Sequence, residues 1–96
     1  MQTELQTHVP ILRALRAELD ELDAQWLALL ARRFAITAEV GQLKKQHGLP
    51  ARDLEREAQQ RARFAALASE HGIDPEFAQN LLQLLLDEVV ARHQRA

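Results

Sequence analysis

Cysteine and tyrosine are absent from this 96-residue chain, and aromatic residues make up only 4% of it. Without cysteine there is no disulfide framework, no thiol nucleophile and no thiolate metal site. Glycine and proline number three each, too few for a flexible or low-complexity segment. An excess of positive charge is also lacking. Twelve basic residues stand against fourteen acidic ones, a formal net charge of −2, which argues against a nucleic-acid binder. No apolar run approaches the roughly 18 residues of a membrane span. The opening "MQTELQTHVP" has no basic region followed by an apolar stretch, so it is not a secretory signal. His8, His47 and His71 fall at or near helix ends or loops with no metal-ligand spacing, and no metal site is expected. These absences leave a folded cytoplasmic protein as the default reading.

What is present is helical periodicity. Leu12, Leu15, Leu19, Leu22, Trp26, Leu29, Ile36, Val40 and Leu43 step by three and four, the pattern of a helix with one buried seam. Thr7 is a candidate N-cap with Pro10 in the first turn, and Gly48-Leu49-Pro50 is the next strong stop. A second helix is expected from about Asp53 to just before Gly72. Asp74-Pro75 reads as an N-cap and N1 proline opening a third, to about residue 93. No stretch alternates with period two, so the fold class is all-α: three helices, at about 9–46, 53–70 and 75–93, in one domain over 1–96. A first helix of about 36 residues would be roughly 54 Å long, whereas a compact chain of this size has a radius of gyration of about 13 Å. One end would protrude with its leucines bare, and a second copy is the economical cover. A homodimer is expected.

Two cations interrupt this seam. The heptad after Leu29 places Arg33 on it, and Lys44, three turns on, projects from nearly the same side. An unpaired charge on an apolar seam is costly. Arg33 therefore either pairs with an internal carboxylate, Glu57 or Asp87 being the candidates, or snorkels outward, or awaits an anionic ligand. On the third helix His93 continues the apolar stripe of Leu82, Leu86 and Val89. The dipole of the helix C-terminus is a sufficient structural reason for it.

The stretch "ALRAELDELDAQWLALLARRFAITAEVGQLKK" followed by "PARDLERE" resembles the all-helical class of chorismate mutases. The resemblance runs from about Leu12 to Gln94. It rests on an L-R…L-D-x-L-D…L-L-A-x-R pattern, an E-V-G-x-x-K stretch and an R-D-x-x-R-E motif, which together are highly specific. It implies three helices per chain with a very long first helix, intertwined as a homodimeric bundle. The implied activity is rearrangement of the chorismate dianion to prephenate, on the way to phenylalanine and tyrosine, without cofactor, metal, membrane or nucleic acid. Carried over residue by residue, it implies that Arg33 and Arg56 grip carboxylates and that Arg16 reaches into the other subunit's site. Lys44 contacts a carboxylate and the ether oxygen, and Glu57, assisted by Asp53, accepts a hydrogen bond from the ring hydroxyl. Arg52 is expected to be a solvent-facing neighbour.

Two positions depart from the bacterial pattern. Val89 stands where a serine is common, and His93 where a glutamine donates to the ether oxygen. His93 is expected to take over that donation. If it does so as imidazolium, activity falls as pH rises through the imidazole range. The chain is expected to be a free-standing enzyme. Rival readings are an isochorismate pyruvate lyase on the same scaffold and a non-catalytic helical dimer whose cations are satisfied internally.

Overall fold

A computed structural model describes residues 2–95, with side chains from residue 9 onward. Three helices follow one another: α1 (Gln2–Gln46), α2 (Leu54–Glu70) and α3 (Pro75–Arg95). The all-α, three-helix expectation holds, and there is no strand among the described residues. No helix is long and apolar enough to cross a membrane among those residues.

The helix ends follow from local chemistry. The C-terminus of α1 closes through Gly48 at φ +64. Leu49 N–H donates to the Lys44 carbonyl at 2.8 Å and Gly48 N–H to the Lys45 carbonyl at 3.3 Å. The same paired bonds close α2. Gly72 lies at φ +71, Ile73 N–H donates to the Ala68 carbonyl at 2.8 Å, and Gly72 N–H to the Ser69 carbonyl at 3.2 Å. Both are left-handed glycine caps that absorb otherwise orphaned carbonyls. At the N-termini, Asp53 Oδ1 accepts from Arg56 N–H at 3.0 Å and Asp74 Oδ1 from Glu76 N–H at 3.2 Å. Pro75 takes the first helical position, where a missing N–H costs nothing.

The beginning of α1 departs from expectation. The helix starts at Gln2, so Thr7 lies inside it rather than capping it, and Pro10 is well beyond the first turn. Proline removes one backbone donor, but its φ is already helical. Glutamine, glutamate and leucine before it favour helix, so the helix persists on both sides. The side chains of Thr7 and His8 lie outside the described residues.

The chain divides into two units, residues 1–35 and residues 36–96. The first is helix throughout its described part. Its apolar stripe, Leu12, Leu15, Leu19, Leu22, Trp26 and Leu29, is between 40% and 59% exposed. The second holds the end of α1 together with α2 and α3, which pack on each other. Ala68, Ala78 and Leu82 are its buried centre, with Leu82 wholly excluded from solvent. Leu86, Val89 and His93 continue the Leu82 face and are half-buried, so the stripe read on this helix is its inner face.

Candidate active site

Residues 1–35 carry four arginines, of which the two site candidates, Arg16 and Arg33, have no acidic partner among the described residues. Arg33 is half-buried, and its Nη1 atom is buried with no hydrogen-bond partner among the described residues. Neither carboxylate considered for it is engaged with it. Glu57 is held by Arg52 and Arg61, and Asp87 Oδ1 accepts from Gln83 Nε2 at 2.9 Å. A guanidinium so placed keeps its desolvation cost and lacks the compensating carboxylate. Arg16 is exposed and likewise unpaired among the described residues. Seventeen residues of helix separate the two, about 25 Å at the usual rise. One small ligand does not bridge that distance.

Residues 36–96 bring several of the other candidates together. Lys44 Nζ donates to the Ala51 carbonyl at 3.2 Å, and the ammonium has no carboxylate partner among the described residues. Glu57 sits in the first turn of α2 with its side chain 12% exposed, and Arg52 forks onto it. The Nε–Oε2 distance is 3.1 Å and the Nη2–Oε1 distance 2.7 Å, a planar two-point pair of the kind arginine makes best. Arg61 Nη2 stands 3.7 Å from the same Oε1 and also donates to Gln83 Oε1 on α3 at 3.0 Å. The Arg52 hydrogen bond is the main reason the Glu57 carboxyl is held below the usual carboxylate range, and Asp53 opposes it weakly. The same bond pushes the Arg52 guanidinium up. Arg52 is therefore not merely a solvent-facing neighbour. The non-helical backbone of residues 50–53 turns its side chain back onto α2.

Asp53 uses Oδ1 as the N-cap of α2, so its first role is structural. Arg56 gives its backbone N–H to that cap, and its side chain is exposed with no partner among the described residues. Val89 is half-buried on the inner face of α3. One turn beyond it, the His93 ring lies on the backbone of Gly41. A methyl group at Gly41 would collide with His93 Cε1 and stand 2.6 Å from Nδ1 and 2.8 Å from Nε2. Residue 41 must be glycine for the imidazole to sit there. By helix propensity alone, a glycine at position 41 costs only about 1 kcal/mol against alanine. A glycine inside a strong helical pattern is itself the signal of a close approach.

The family profile described as Chorismate mutase type II matches residues 15–94. The chain belongs to that family. Among named relatives, the bifunctional chorismate mutase/prephenate dehydratase of Escherichia coli K12 is 36% identical over 83 residues, 86% of this chain and 22% of that protein. A 4-amino-4-deoxychorismate mutase of Streptomyces pristinaespiralis is 39% identical over 77 residues, 80% of this chain and 60% of that protein. The chorismate mutase of Methanocaldococcus jannaschii is 33% identical over 76 residues, 79% of this chain and 77% of that protein. The chain thus spans about a fifth of the bifunctional relative and about three quarters of the archaeal one. The relatives it matches include both a long chain and a short one. The matched segment of this chain includes all eight candidate site residues.

Proposed function

We propose that this chain is a chorismate mutase, converting chorismate to prephenate in the route to phenylalanine and tyrosine. The observation that carries the reading is the buried Arg33 Nη1 with no hydrogen-bond partner among the described residues. It is a cation prepared for an anion that the described residues do not supply. Family membership says which anion fits, a cyclohexadiene bearing two carboxylates and an enolpyruvyl ether.

The rearrangement is concerted. The ether carbon–oxygen bond breaks as a carbon–carbon bond forms, and no proton, electron or leaving group departs. Catalysis then consists of holding the substrate in a folded, chair-like conformer and stabilising negative charge on the ether oxygen. Arg33 and Arg56 grip the carboxylates. Lys44 serves a carboxylate and the ether oxygen, and His93 donates to that oxygen in place of an amide. Glu57, ionised and so an acceptor only, takes the ring hydroxyl with Asp53 beside it, and Val89 supplies an apolar wall. Arg16, too far along its helix from Arg33 to share its ligand, serves the site of a second copy. A homodimer, each chain acting as a single domain, covers the stripe of α1 leucines. The setting is the cytoplasm, where such biosynthetic substrates are made.

The relatives named for 4-amino-4-deoxychorismate support a second substrate, with an amino group replacing the ring hydroxyl. The Arg52 guanidinium on Glu57 favours the neutral hydroxyl over an ammonium. The test is to add purified protein to chorismate, isochorismate and 4-amino-4-deoxychorismate in turn, following absorbance and identifying products. Rapid loss of chorismate with prephenate as product is expected. Pyruvate and salicylate from isochorismate, or turnover confined to the amino compound, would replace this reading.

A further inference from the structure

Three consecutive residues of the connection between α1 and α2 each hold a different member of the proposed substrate-binding set. The Ala51 carbonyl accepts from Lys44 Nζ at 3.2 Å. Arg52 forks onto Glu57, at 3.1 and 2.7 Å. The Asp53 carboxylate accepts from the Arg56 backbone N–H at 3.0 Å. Sequence spacing does not announce this, because the connection is not helical and brings positions five and seven residues apart into contact.

We infer that Arg52 is a positioning residue, fixing the plane and the charge of the Glu57 carboxylate so that it receives the substrate's ring hydroxyl. The inference rests on the chorismate mutase reading and adds a residue to it. Glu57 hangs from the first turn of α2, and a lone glutamate there has three free torsions. The fork leaves it one orientation, in a site where its side chain is 12% exposed while Arg52 remains 59% exposed. Each carboxylate oxygen has two acceptor sites, so two donated bonds from Arg52 still leave room for a hydroxyl. A protonated Glu57 would lose part of that capacity, and the guanidinium keeps the proton off.

Three charged groups face this pair. Arg61 approaches Glu57 from within α2 at 3.7 Å. Asp53, from the connection, acts on Glu57 in the opposite sense, and Asp87 on α3 acts on Arg52. Arg52 is nearer to the Glu57 carboxylate than Arg61 and is its only two-point partner among the described residues. Removing it leaves Arg61 as a weaker cation, so the Glu57 carboxyl rises toward its ordinary value.

The test is the pH profile of kcat/KM for wild type, Arg52→Gln, Arg52→Lys, Glu57→Gln and the Arg52→Gln/Glu57→Gln double variant, with helix content checked by circular dichroism. Arg52→Gln is expected to lower kcat/KM at neutral pH by about 3- to 10-fold, the range for a partly screened charged pair. It should also move the acid limb to higher pH. Arg52→Lys, which restores charge without the fork, should return the limb toward wild type and recover only part of the rate. In the Glu57→Gln background, Arg52→Gln should change the rate by less than about 2-fold, since residues acting through one another are not additive. An acid limb unchanged by Arg52→Gln in an active enzyme, or additive losses in the double variant, overturns the inference alone. A wild type without activity on chorismate overturns the parent reading and this one together.

Discussion

Residues 1–35 and residues 36–96 differ in whether they enclose any apolar side chain of their own. The second unit buries Leu82 completely and turns Leu86, Val89 and His93 inward along one face of α3. The first has a longer run of leucines in heptad register and leaves Leu12 to Leu29 at least 40% exposed. Some of the charges differ likewise, although Lys44 and Arg56 of the second unit also lack a carboxylate partner among the described residues. In the second unit Glu57 is met by Arg52 and Arg61, while in the first Arg16 and Arg33 have no carboxylate among the described residues. On the proposed reading, this leucine-rich region with its unpaired arginines is completed by a second copy and by substrate. The apolar stripe asks for another helix, and the guanidiniums ask for anions. Large exposed apolar surfaces on soluble chains mark such contacts.

Breaking the stripe should have the largest effect. Leu22→Glu puts a charge in the middle of the proposed subunit seam, and the outcome expected is a monomer by sedimentation with activity at the uncatalysed rate. A dimer with full activity would mean that the seam lies elsewhere. Next comes the core of the second unit. Leu82→Ala leaves a cavity where the side chain has no exposure, and a loss of about 2–5 kcal/mol in chemical denaturation is expected. A smaller cost should follow Gly41→Ala. Helix propensity alone predicts a gain of up to about 1 kcal/mol, but the collision with the His93 ring predicts a net loss of about 1–3 kcal/mol. Adding His93→Ala to the same chain should return stability to wild type or above, which separates the close approach from any general intolerance at residue 41.

The fold was largely legible because helix punctuation is local. Asp53, Asp74-Pro75, Gly48 and Gly72 each act through bonds within a few residues of themselves, and all four fall where the pattern places them. The start of α1 was not legible. Thr7 and Pro10 look like a beginning, but one missing N–H does not outweigh good helix formers on both sides. Within the candidate site, the heptad position of Arg33 raised the question of its partner and left pairing, snorkelling and ligand binding open; among the described residues neither Glu57 nor Asp87 pairs with it. The Arg52–Glu57 fork was not legible, because helical arithmetic says nothing about a connection such as residues 50–53. The His93–Gly41 contact lay between these cases. Its signal was a glycine in a long helix with no turn to explain it.

The central claim is that Arg33 has no counter-ion among the described residues because an anionic substrate supplies one. The most direct measurement is kcat/KM for Arg33→Ala with chorismate, beside the wild type at the same pH and ionic strength. Losing a charged, desolvated contact of about 2.7–4 kcal/mol predicts a fall of roughly 100- to 1,000-fold in a protein that melts no lower than wild type, since no internal ion pair is broken. Activity within about threefold of wild type would contradict the claim.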